Sequence, residues 1–295
     1  MRELKLGLAL GAGGTKGAAH VGVMQVLEEA GIAPAAIAGT SIGALYGGTF
    51  ATGRTAAEMA QGIRDCPPHD VAALFRQRLK IRANNRLARR FYEALAGHNI
   101  ENLPVRFAAT ASDIGARKHV HIASGPLIDA VEASIAIPII ARPVSHQGMH
   151  LLDGGFWDKA PVDAAVELGA DVVVAVHLGR PLSLPARLHA PASALARTID
   201  RVPLARTAAG LPFTIHAIST PLAEGRTAQV VIRPRLRRSI FGMSPFLMTQ
   251  YLEAGIASAR EALPAIKALL AGEEPPAVAA EFAPAATRLA LDPGV

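Results

Sequence analysis

One cysteine, Cys66, stands among 295 residues, so no disulfide can close within the chain and a thiolate zinc site has no ligand set. That usage fits a reducing, cytoplasmic compartment. Aromatic residues make up only 4% of the chain, too few to interleave with basic side chains as a base-stacking surface does, and no nucleic-acid partner is expected. No apolar run approaches the roughly 18 residues a membrane span requires, which leaves a soluble or peripheral protein. Arg2 and Lys5 ahead of residues 6–12 imitate a signal peptide only loosely, because Glu3 and Lys16 flank the stretch and glycines break it. It reads as a first strand.

What is present is a core. Half the chain, 51%, is hydrophobic, enough to exclude disorder and to fill one large domain. Thirty Lys and Arg against 24 Asp and Glu leave a charge of +6, suited to an anionic surface or substrate.

Residues 6–10 form a short apolar run ending in glycines. The stretch 17–30 then carries Val21, Met24 and Leu27 three apart, with Gly31 as a stop signal, so strand, glycine loop and helix follow one another. A second cycle places a strand at 37–40 and a helix at 42–51 with Ser41 between them. Further strands are expected at 105–112, 119–123, 171–178 and 229–233, with helices at 126–135 and 161–168. Such alternation predicts a three-layer α/β/α domain around a mostly parallel central sheet. The domain spans residues 1–271, with a proline-rich irregular stretch at 181–226 and a helical region at 244–270 interrupted near Pro264. Residues 272–295 read as a loose tail.

The loop Gly11-Ala12-Gly13-Gly14-Thr15-Lys16-Gly17 aims backbone N–H groups from a helix N-terminus, where an anion belongs. It misses the dinucleotide fingerprint by one residue, Lys16 standing where the last glycine would be, and it lacks the Gly-Lys-Ser/Thr ending of a phosphate loop. Glycine used only for close helix-to-sheet packing is the alternative, the weaker one for so dense a cluster. Gly39-Thr40-Ser41-Ile42-Gly43 fits G-x-S-x-G, a sharp strand-to-helix turn that exposes a serine oxygen. A right-handed crossover between the two strands brings both loops to one carboxyl edge of the sheet. Amide donors and a nucleophile would then share one space, as acyl transfer needs.

A serine hydroxyl needs a base. Among ten histidines, His177, His189 and His216 lie late enough to be considered, but none stands in a recognisable turn. Residues 150–152 read as a short strand and Asp153-Gly154-Gly155 as the turn that ends it, presenting a carboxylate.

These three blocks, in this order, resemble the patatin-like phospholipase family, over about residues 5–180. The segment Ser134-Ile135-Ala136-Ile137-Pro138, with Arg142-Pro143-Val144, is similar to the stretch before the family's aspartate. The resemblance implies a lipid acyl hydrolase with Ser41 as nucleophile and Asp153 as base, supported by Gly39, Gly43, Gly154 and Gly155. It also implies an oxyanion hole around Gly13, Gly14, Thr15, Lys16 and Gly17, with no metal and no cofactor. Ala12 and the pair Asp158-Lys159 depart from the family's usual residues. A lipid or acyl-ester substrate is expected, with peripheral contact to anionic membrane through two basic clusters. The first spans residues 76–90: Arg76, Arg78, Lys80, Arg82, Arg86, Arg89 and Arg90 interleave with Leu74, Phe75, Leu79, Ile81, Leu87 and Phe91, which would dip into lipid. The second is Arg233, Arg235, Arg237 and Arg238; taken alone, either cluster reads first as a solvated basic face. A nucleotide-binding regulator and a non-catalytic scaffold of the same family are the competing readings. Nothing in these patterns selects a head group, an acyl position or an oligomeric state.

Overall fold

The computed structural model describes residues 3–76, 80, 81, 85–116, 118–138, 140–146, 148–156, 160–179, 229–236 and 245–275. The expected 181–226 stretch, most of the tail, Asp158, Lys159, His189, His216, Arg237 and Arg238 therefore lie outside the described residues.

Five strands run parallel: β1 (Leu6–Leu10), β2 (Ala36–Thr40), β3 (Arg106–Asp113), β7 (Val172–Val176) and β8 (Val230–Ile232), in the spatial order β8-β7-β1-β2-β3. Three more pair antiparallel: β4 (Lys118–Ile122) and β6 (Met149–Asp153) on β3, and β5 (Val144–His146) on β6. Residue size alternates along the parallel strands. Leu8, Leu10, Ile37, Phe107, Val174 and Ile232 enter one large core, whereas Ala9, Ala38, Ala108, Val173 and Ala175 enter a shallow one on the other face.

On the large-residue face lie α1 (Ala18–Glu29), α2 (Ile42–Ala51) and α6 (Leu127–Ser134). Among the described residues the small-residue face is covered by α7 (Val162–Glu167), whose Val162, Ala164 and Ala165 meet the strand alanines. The result is the three-layer, mostly parallel architecture expected. Around α1 and α2 pack α3 (Ala56–Arg64), α4 (Pro68–Arg76), α5 (Arg86–Leu95) and α8 (Met248–Ala271).

Two expectations are corrected. Helix α8 is not interrupted: Pro264 sits inside it, and the lost backbone hydrogen bond is offset by a buried face including Tyr251, Leu252, Ile256, Ala259, Ala265 and Ile266. The segment 76–90 does not turn its described apolar residues to lipid. Leu74 and Ile81 are buried, and Leu87 and Phe91 pack on the core. Phe75's side chain, Arg78, Leu79 and Arg82 lie outside the described residues.

Helices α1 and α8 touch backbone to backbone. A methyl on Gly255 would stand 2.1 Å from the Ala19 carbonyl oxygen, whereas one on Gly62, in α3, would meet nothing within 4 Å. Gly255→Ala is therefore expected to lower stability by about 1–3 kcal/mol. Gly62→Ala should raise it by about 1 kcal/mol, since helical glycine is entropically unfavourable. Urea midpoints of the two variants, moving in opposite directions, check this.

Candidate active site

The register of β3 brings the site together. Strand β3 outruns β2: Thr40, the last residue of β2, pairs with Thr110, while Ala111, Ser112 and Asp113 continue beyond it. Because Ala109 and Thr110 pair with both β2 and β4, those two strands flank β3 on opposite edges. Ala111, Ser112 and Asp113 pair with both β4 and β6, so β6 must occupy the edge that β2 has vacated. There it runs antiparallel and ends at Asp153, opposite Ala111. The two strands meet end to end, and Ser41 follows one as Asp153 closes the other.

Ser41 is the only non-glycine residue with positive φ among those described, at φ 55° and ψ −121°. Such a conformation costs about 1–3 kcal/mol and persists only where neighbours enforce it. Its carbonyl accepts from the Ala44 and Leu45 N–H groups at 2.9 and 3.1 Å, and its N–H donates to Ser134 Oγ at 2.9 Å. Gly43 allows the helix to start this close to β1, since a methyl there would lie 2.1 Å from the Leu10 carbonyl oxygen. A methyl on Gly39 would likewise lie 2.5 Å from the Ala44 backbone.

Ser41 Oγ donates to Asp153 Oδ2 at 2.5 Å, and the Gly155 N–H donates to Asp153 Oδ1 at 2.8 Å. Both Ser41 and Asp153 are 6% exposed. Burial pushes the Asp153 carboxyl up to about 6, while the Ser41 hydroxyl and the Gly155 N–H pull it down. At neutral pH it is ionised yet basic enough to accept a proton. Gly154 packs on β3, where a methyl would sit 2.2 Å from the Thr110 carbonyl oxygen.

The glycine loop adjoins both. Residues Gly14–Gly17 form a single 3-10 turn entered from Gly13. A methyl on Gly17 would strike Ile42 at 2.2 Å, and one on Gly155 would lie 3.0 Å from Ala12 Cβ, so all three motif loops are in contact. The Lys16 N–H closes the turn on the Gly13 carbonyl at 3.3 Å and is not spare. No described residue accepts from the Gly13 or Gly14 N–H, which leaves these two as the open donors of the turn. Thr15 is buried.

His20, in α1, was not anticipated from the sequence. Its ring is wholly buried with Nε2 2.7 Å from the Gly11 carbonyl oxygen, and because a carbonyl only accepts, Nε2 carries the proton. Burial holds its pKa down to about 4, so the ring is a neutral tether of the loop. Ser134 and Ser112, which donates to the Asp153 carbonyl at 2.9 Å, were also missed as individual contacts. A lone serine carries no pattern that marks such a role. Among the described residues no histidine hydrogen-bonds the Ser41 hydroxyl, and His177 instead contacts Gly179. No cluster of His, Cys, Asp or Glu fit for a metal occurs among them either.

The raised Asp153 pKa has a stability consequence. Between its ordinary value of 3.8 and about 6 the unfolded chain has released a proton that the native state retains, so rising pH costs stability in that window. Asp153→Asn removes this dependence. Its oxygen can accept from Gly155 while its NH2 donates to Ser41 Oγ. The variant is expected to gain on the order of 3 kcal/mol over wild type above pH 6, the gap closing as pH falls towards 4. Thermal unfolding across that range measures it.

Residues 8–166 match the family described as patatin-like phospholipase. An uncharacterized NTE family protein of Mycobacterium bovis is 36% identical over 186 residues, 62% of this chain and 51% of that protein. Lysophospholipase nte1 of Aspergillus fumigatus is 32% identical over 181 residues, 59% of this chain and 12% of that protein. This chain thus spans about half the length of its mycobacterial relative and a small part of the fungal one. The crystal structure of VipD from Legionella pneumophila superposes with a TM-score of 0.48 at 15% identity, over 89% of this chain and 67% of that one. The family match covers more than half of the 295 residues and embraces the glycine turn, Ser41 and Asp153, and the chain belongs to the patatin-like phospholipase family.

Proposed function

We propose that the chain is a lipid acyl hydrolase that cleaves carboxylic esters of phospholipids or lysophospholipids through a Ser41–Asp153 dyad. The observation that carries this reading is the 2.5 Å hydrogen bond from a strained serine to a buried, basic carboxylate beside two amides that no described residue uses. The fungal relatives, named as lysophospholipases, support the substrate class.

Ser41 Oγ attacks the ester carbonyl carbon as its proton passes to Asp153 Oδ2. The Gly13 and Gly14 N–H groups receive the developing oxyanion, the kind of interaction worth on the order of 3 kcal/mol per donor. Collapse expels the alcohol, which takes the proton from Asp153, and leaves the acyl group on Ser41. Water then attacks that ester and gives its proton to Asp153, which returns it to Ser41 as the fatty acid departs. Lys16 is the basic residue of the same 3-10 turn.

Access to lipid follows from the surface around the glycine turn. Phe246 is 78% exposed on the 3-10 turn Pro245–Leu247, which touches the Gly14–Gly17 turn and α4. Helix α4 in turn packs on α5, whose Arg86, Arg89, Arg90 and Tyr92 are exposed. An aromatic residue that enters the headgroup layer, with arginines held against anionic lipid, orients the glycine turn towards the bilayer.

Ser41→Ala and Asp153→Asn are each expected to lower ester turnover by about four orders of magnitude or more. In wild type, kcat/KM should rise with pH through a midpoint near 6, because only the ionised carboxyl accepts the Ser41 proton. Folded protein without esterase activity at any pH would leave the scaffold reading. Sedimentation with vesicles should increase with anionic lipid content, weaken with salt, and fall on the order of tenfold in Phe246→Ala.

A further inference from the structure

Between the serine turn and the aspartate lies a segment to which the dyad chemistry assigns nothing. Ser134, the last residue of α6, is fully buried, and its hydroxyl makes two hydrogen bonds at once. It accepts from the Ser41 N–H at 2.9 Å and donates to the Thr110 carbonyl at 2.6 Å. Two residues on, the Ala136 carbonyl accepts from the Asp153 N–H at 3.0 Å. Two residues of one short segment, Ser134 and Ala136, therefore grip the backbone of both members of the dyad.

We propose that Ser134 is a positioning residue: its hydroxyl ties the Ser41 backbone to β3 and, through the 134–136 segment, holds Ser41 and Asp153 in register. The inference rests on the hydrolase reading above. Ser41 sits at φ 55°, and its N–H has no other acceptor among the described residues. Without the Ser134 oxygen this buried N–H would be unsatisfied, and rotation to negative φ would relieve both the strain and the orphaned donor. The same rotation carries Oγ away from Asp153 Oδ2. Only a hydroxyl can accept from one backbone and donate to the other from a single atom at this reach. Because the Ser134 hydroxyl already holds the Ser41 N–H, that N–H cannot serve the oxyanion, which falls to the glycine turn.

Ser134→Ala and Ser134→Cys test this, the first removing both bonds with little change of volume and the second keeping a weak donor and acceptor at the same position. Each is expected to lose on the order of 100-fold in kcat with KM unchanged, the size of effect that follows a small misplacement of a reacting group. The midpoint of the pH profile should also move above the wild-type value, since the Ser41 hydrogen bond is one of the two contacts pulling the Asp153 carboxyl down. A merely structural serine would lower thermal stability without moving that midpoint. If neither variant folds, hydrogen exchange at the Ser41 amide of the wild type decides: slow exchange is expected, and exchange as fast as an open loop amide overturns the clasp. Active wild type with either folded variant unchanged in kcat and midpoint overturns the clasp alone. Wild type inert to esters overturns the hydrolase reading and the clasp with it.

Discussion

A strand that is too long for its neighbour organises this molecule. Strand β3 extends three residues past the end of β2, and the vacated edge is filled by β6 arriving from the opposite direction. Two chain segments that would otherwise be separated by a strand width are brought nose to nose, and the hydrogen bond from Ser41 to Asp153 spans the junction. A wholly parallel edge would leave the carboxylate a strand away. The antiparallel insertion is thus a feature of the site as much as of the sheet.

Around that junction the fold accepts several unfavourable arrangements at once. Ser41 takes a conformation that non-glycine residues avoid, and Asp153 is buried without a cationic partner among the described residues that shifts its pKa. Glycines 39, 43 and 154 surrender side chains so that backbones can touch. What holds them is the alternating core beneath: Leu8, Ile37, Phe107 and Val174 lock the register of the sheet, and alanines on the reverse face let α7 lie close. Sites that sacrifice stability for chemistry show this local conflict against a consistent background.

The central strands and the serine turn were legible because each signal is local. A five-residue apolar run bounded by glycine needs no partner to be recognised, and the observed β1, β2 and β7 fall within a residue or two of the expected ends. Helix α3 carries an equally local signal, a capping box of Thr55 and Glu58. The role of Pro264 was misjudged because helix continuity there depends on burial against α1, which sequence does not display. Strand β5, three residues long, exists only because β6 is beside it. Ser134, Ser112 and His20 were hidden for a related reason: each acts through a backbone group brought near by the fold.

Labelling of the intact protein by a fluorophosphonate, with the modified residue identified by mass spectrometry at a series of pH values, tests the Ser41–Asp153 pair most directly. A single adduct on Ser41 is expected, forming at a rate that climbs through a midpoint near pH 6 and is lost in Asp153→Asn. An adduct on another serine, or labelling of Ser41 that is indifferent to both pH and the Asp153 carboxylate, would contradict it.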